Sequence, residues 1–121
     1  MPEHSPLIDR YIACWNEPDA GRRQALVAET FTASAAYCDP MLRGEGHAGI
    51  DALIAAAQRQ FPGLRFSRRG AADAHHDRLR FSWDLGPAGA APIAGGTDMA
   101  VVAPDGRLAA VTGFIDFAPQ G

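Results

Sequence analysis

The chain has no lysine: its eleven basic residues are all arginine, against fourteen acids, giving a formal net charge of −3. No basic block stands out, so the electrostatic footprint of a nucleic-acid binder is missing. No apolar run approaches the roughly 18 residues of a membrane-spanning helix. The opening Met1-Pro2-Glu3-His4-Ser5-Pro6 shows no charged-then-apolar signal pattern. Cysteine is scarce. Cys14 and Cys38 have neither metal-ligand nor CxxC spacing. Both fall in apolar segments and read as buried thiols in a reducing cytoplasm. Repeats, linkers and low-complexity segments are also lacking.

What remains is ordinary globular material. At 121 residues, 47% apolar and 21% charged, the chain is expected to form one domain over residues 1–121. Such a domain buries about two-thirds of its unfolded surface.

Ser5-Pro6 reads as a helix cap followed by proline at the first helical position. Leu7, Ile8, Tyr11, Ile12 and Trp15 then recur at helical spacing. Pro18 stops this helix and Asp19 is placed to cap the next, whose inner face carries Leu26, Val27, Thr30 and Phe31. A short apolar strand, Ala35 to Cys38, precedes a third helix from about His47 to Phe61, striped by Ile50, Leu53, Ile54, Ala57 and Phe61 and ended by Pro62-Gly63. From Leu64 the apolar period becomes two. Leu64–Arg68 is one strand, with a turn near His75-His76-Asp77. A second strand alternates Leu79, Phe81, Trp83 and Leu85 with Arg80, Ser82 and Asp84. Residues 93–103 and 108–117 form a hairpin about Asp105-Gly106. The pattern predicts an α+β domain with three helices against a mostly antiparallel sheet. Gly95, Gly96 and Gly113 lie inside strands, where glycine marks a bulge, a bend or a close approach.

The stretch that organises the chain is Tyr37-Cys38-Asp39-Pro40. Pro40 holds Asp39 extended at a strand end, which suits a binding or catalytic acid. It equally suits a turn-forming Asp-Pro that only shapes the loop.

This order of elements, with a strand ending in Asp-Pro between the second and third helices, resembles the nuclear transport factor 2-like superfamily. That group includes ketosteroid isomerases, SnoaL-like polyketide cyclases and limonene epoxide hydrolases. The resemblance implies a cone-shaped roll: a strongly curved sheet enclosing a pocket roofed by the helices. It also implies roles. Tyr11 falls on the isomerases' oxyanion-hole tyrosine, Asp19 on another acid of their pattern, Asp39 on the proton-shuttling base, and Asp98 on the protonated acid that partners the tyrosine. Moving a proton next to a carbonyl needs such a base and a donor to the developing oxyanion. Asp98 can donate only if burial keeps it neutral, and its strand neighbours Gly96, Ala100 and Val102 are small or apolar. Trp15, Phe31, Ile54, Phe81, Trp83, Val111 and Ile115 are expected to line the pocket. The ligand is expected to be a small apolar molecule, with no metal or cofactor, and the chain to be a homodimer without nucleic-acid or membrane partners.

There are departures. The isomerases brace their tyrosine with further tyrosines, whereas this chain has only Tyr11 and Tyr37, with Phe31 and Ile54 at the corresponding stretches. The Asp19-to-Asp39 spacing is also longer. Gly96 stands where a limonene epoxide hydrolase carries its bridging arginine. Cyclases of this fold pair an Asp with a His, and His47, His75 and His76 are available, the last two in a predicted turn. Their nearness to Asp77 is weak evidence for a metal site. Arg22, Arg23, Arg65, Arg68 and Arg69 read as solvated surface, and Arg43 as surface or as a partner for Asp39. A non-catalytic binding module is the alternative to an enzyme.

Overall fold

Pro6 and the apolar spacing behind it set the first helix of the computed structural model, which describes residues 4–119. Met1, Pro2 and Glu3 of the opening stretch lie outside them. Helix α1 spans Ser5–Asn16 and buries Leu7, Ile8, Tyr11, Ile12 and Trp15 as the spacing predicts, together with Cys14. Its cap position is His4, with no side-chain capping bond. Ser5 is thus drawn one place into the helix. Asp19 does cap α2 (Ala20–Thr30), accepting the Arg22 amide at 2.9 Å.

Phe31, expected on α2, instead opens β1 (Phe31–Cys38) with an extended backbone. It pairs with Leu108 of the sheet and is fully buried. Its inward position was readable; the element was not, because the chain passes from helix to strand without a loop. A short strand, β2 (Arg43–Glu45), folds back antiparallel on β1 with Cys38 opposite Arg43. Gly46, in the left-handed region at φ 73°, then starts α3 (Gly46–Gln60).

The remaining strands are β3 (Leu64–His75), β4 (Arg78–Pro87), β5 (Ala94–Val102) and β6 (Leu108–Phe117). The sheet order is β2-β1-β6-β5-β4-β3. All neighbours are antiparallel except β1 and β6, which run parallel. The result is an open six-stranded mixed sheet under three helices, the cone-like α+β roll. The register slips between Gly95 and Gly96, where the sequence predicts a bulge or bend. A side chain at Gly96 would overlap both the Trp83 ring and the Phe114 carbonyl.

Two burial readings are overturned, one in each direction. Arg23 is buried, only 6% exposed. Its guanidinium donates to Asp51 of α3 at 2.7 Å, to Gln58 Oε1 at 3.2 Å and to the Glu17 carbonyl at 3.5 Å. Gln58 in turn donates to the Trp15 and Glu17 carbonyls at the end of α1. A basic residue in the first turn of α2 is unfavourable for the helix dipole, but here one side chain ties three helices together. Cys38, expected to be buried, is exposed, because it faces away from the core at the strand end. Cys14 is buried, and burial pushes its thiol up to about 11. No helix among the described residues is long and apolar enough to cross a membrane.

Candidate active site

Asp39 follows directly on β1, and Pro40 sits at the corner of the turn behind it. Asp39 Oδ1 accepts the amides of Met41 and Leu42 at 2.8 and 2.7 Å, while its own amide donates to the Leu42 carbonyl. Its other oxygen, Oδ2, accepts the Tyr37 phenol at 2.6 Å. The turn-shaping role of the Asp-Pro pair is therefore taken by one oxygen, while the other faces the Tyr37 hydroxyl. Tyr37 lies two residues earlier on β1, so strand alternation returns it to the same face.

Asp98 lies in the middle of β5, opposite Phe81 of β4 and Gly113 of β6. Only 2% exposed, it points under α1. Tyr11 donates to its Oδ2 at 2.7 Å and the Trp83 indole to its Oδ1 at 3.1 Å. Burial lifts its carboxyl from 3.8 to about 6; the Tyr11 and Trp83 hydrogen bonds pull it down, and the charges of Asp39 and Asp116 push it further up. Burial and then the neighbouring Asp98 hold the Tyr11 phenol well above its ordinary value, so it stays a proton donor at any physiological pH. Burial likewise raises Tyr37, helped by Asp98 and Asp39.

Packing fixes these groups. The Tyr11 ring meets Phe81 edge-on at 5.2 Å and Phe31 at 5.9 Å. Trp15 packs on Tyr37 and Phe66, and Phe66 on Trp83, at centroid distances of 5.2–5.5 Å. The Trp15 Nε1 is buried and completes no hydrogen bond, although it lies near enough to the Tyr11 phenol to favour its anion.

Together these residues enclose a cavity of about 400 Å³ between α1, the end of α3 and the sheet, within the size of small-molecule sites. Tyr11, Asp39 and Asp98 all line it. Among the described residues, those two aspartates are its only charged lining groups. Trp15, Trp83 and Ile115 also line it, but Phe31, Ile54, Phe81 and Val111 do not. These four are 0–3% exposed, within the core. Their inward facing was legible, but the helices cover them before a ligand can. Tyr37, Phe66, Met41 and Leu42 were missed as lining. For Tyr37 the signal was its place two residues before Asp39.

The remaining acids of β4 and β6 and the histidines lie elsewhere. Asp84 and Asp116 face outward, both within reach of Arg69, which approaches Asp116 to 2.6 Å. His47 bonds the Phe31 carbonyl at 2.8 Å, and His75 and His76 are exposed at the β3–β4 turn. No group of three or more His, Cys, Asp or Glu among the described residues could hold a metal ion.

Comparison with solved structures decides the family. A candidate isomerase of the SnoaL-like family from Agrobacterium tumefaciens is 41% identical, covers 96% of this chain and 99% of its own, and superposes with a TM-score of 0.90. The chain belongs to the SnoaL-like family. A candidate polyketide cyclase from Sinorhizobium meliloti (18% identity, 93% and 94% coverage, TM-score 0.69) shares the SnoaL-like fold. So does a nuclear transport factor 2-like protein from an Exiguobacterium (16%, 91% and 98%, 0.71). Neither a family model nor a curated protein sequence matches the chain.

Proposed function

We propose that this SnoaL-like protein moves a proton on a small apolar carbonyl compound, as an isomerase or cyclase would. The observation that carries this is the placement of a buried Tyr11–Asp98 pair and of half-buried Asp39 against one apolar cavity with no cation among its described lining residues. Asp39 takes the proton from the carbon next to the carbonyl and returns it to the product. The oxygen, gaining negative charge, lies against Tyr11. When Asp98 carries its proton, Oδ2–H donates to the Tyr11 oxygen and frees the phenol hydrogen for the ligand. Trp83 needs only an acceptor and keeps Oδ1. Tyr37 holds Asp39 Oδ2 in register.

A ligand-holding role without chemistry is the second reading. It is favoured by the two amide bonds to Asp39 Oδ1, which already give that carboxylate a structural task. Deuterium uptake from heavy water at the α-carbons of 2-tetralone separates the two. Wild-type protein is expected to accelerate it, and Asp39→Asn to cut the acceleration at least ~10²-fold, the scale of general-base loss. Full activity in that variant removes Asp39 from the mechanism; binding of the ketone without acceleration leaves the holding role.

The outer face of β5 and β6 suits a second copy of this chain. Met99 and Phe114 are 49% and 55% exposed there, next to the buried, inward-facing positions Asp98 and Gly113 of the same strands. Exposed apolar groups on one sheet face are a common docking surface. Light scattering at micromolar concentration should give a dimer, and Phe114→Glu a monomer. A monomeric wild type would refute the pairing.

A further inference from the structure

Gly113 sits in β6, between the strand that ends at Asp39 and the strand that carries Asp98. Asp98 pairs directly with Gly113, and Cys38 pairs with Thr112, which brings Asp39 alongside Gly113. Its backbone gives no reason for glycine, since it is not among the residues with positive φ. Space does. A methyl group placed there would lie 2.8 Å from Asp98 Oδ1, 3.3 Å from Asp39 Cβ and 3.6 Å from Tyr37 Oη. Polar groups on two neighbouring strands thus converge over the one point of the central strand that has no side chain. Glycine in a strand interior weakens the sheet, so the gap carries a structural cost.

We propose that Gly113 is a positioning residue, whose missing side chain lets Asp98 reach Trp83 while Asp39 and Tyr37 close in from the other side. The proposal rests on the reading of these two carboxyls as the working pair, and its geometry concerns their placement alone. An added methyl pushes Asp98 Oδ1 off the Trp83 indole and removes what little solvent reaches the carboxylate. Both changes disfavour the anion. The groups that set this balance are Tyr11 on α1, Trp83 on β4, Tyr37 and Asp39 at β1, and Asp116 beyond them on β6.

The experiment is an NMR titration of the Asp98 carboxyl carbon, with the Trp83 indole N–H followed in the same samples. Gly113→Ala is expected to raise the Asp98 midpoint by about one pH unit or more and to move the Trp83 N–H signal upfield. Thr112→Ala, an outward neighbour on the same strand, should move neither. A wild-type midpoint and indole signal in Gly113→Ala would overturn the proposal. If that variant folds poorly, Asp98→Ala provides the background for a second comparison. With the carboxyl gone, adding Gly113→Ala should leave the urea midpoint of the single variant unchanged. An equal loss in both backgrounds means the glycine serves only the strand, and overturns the proposal. None of these signals depends on turnover. Shifted titrations alongside undiminished exchange in Asp39→Asn would therefore retain the positioning role and reject the acid–base reading, and the reverse pattern would do the opposite.

Discussion

Asp98→Asn is expected to stabilise the protein at pH 7 and to remove a stability gain that the wild type shows on acidification. The native carboxyl titrates near 6, against 3.8 ordinarily. A raised native value means that the folded protein holds this proton longer than the unfolded chain. The contribution is fully present below about pH 4, fades as pH rises through 6, and is absent at neutrality. From two pH units at 1.36 kcal/mol each, the charged group costs about 3 kcal/mol at pH 7. Asparagine carries no charge, accepts from Trp83 through its oxygen and donates to the Tyr11 oxygen through its amide. Part of the gain is lost to imperfect geometry at about 1 kcal/mol per hydrogen bond, leaving roughly 2 kcal/mol of net stabilisation. Urea unfolding of both proteins between pH 4 and 8 measures the difference curve. It should rise by about 2.4 kcal/mol between pH 4 and 7, most of it below pH 6; a flat curve would mean that the surroundings of Asp98 do not raise its carboxyl. The same substitution should weaken deuterium exchange, since the carboxylic acid behind Tyr11 is gone. Stability and turnover are expected to move in opposite directions.

The other large effect lies where the three helices meet. Arg23→Ala is expected to destabilise by about 3 kcal/mol, the lower end of the range for breaking a buried ion pair. The lower end applies because the Asp51 side chain stays 15% exposed, so water partly solvates the carboxylate left behind. Gln58 and the Glu17 carbonyl lose a donor as well. Replacement of both charged partners, Arg23→Met with Asp51→Leu, should recover most of the loss, since the penalty comes from the orphaned charge rather than from the missing pair. Urea midpoints at pH 7 test both statements. A loss below 1 kcal/mol in Arg23→Ala would place the pair among surface bridges.

How far the sequence reached depends on whether a signal was local. Asp39 was legible because Pro40 constrains its backbone from the adjacent position. Asp98 and Tyr11 were picked out by the family resemblance; the residues alone left Asp98 free to find partners or turn outward, and Tyr11 free to be a core ring. Depth was harder to read. Phe81 and Val111 face inward as the period requires, yet α1 and its neighbours cover them, and no periodicity states which inward position lies beneath a helix and which beneath a cavity. Tyr37 needed the fate of a hydroxyl, which strand pattern leaves open. Arg23 needed the meeting of three helices at residues 17, 23 and 51, a coincidence written nowhere in the spacing. Trp83 was read as a wall, and its N–H proves to be a partner of Asp98.

The central place of β6 has a consequence for how the cavity comes into being. Its neighbours come from different distances along the chain: β5 is its hairpin partner, just before it, whereas β1 ends 70 residues earlier. The N-terminal helices with β1 and β2, and the β3–β4–β5 meander, are two half-sheets with contacts largely within themselves. The last strand joins the second half through its hairpin with β5 and meets the first through its parallel pairing with the distant β1. Pairings of such long sequence separation are slow to close. Asp39 and Tyr37 ride on one half and Asp98 on the other, so neither half holds a pocket floor by itself. The pairing of β6 with β1 is therefore the one contact that brings the two carboxyls onto a common floor.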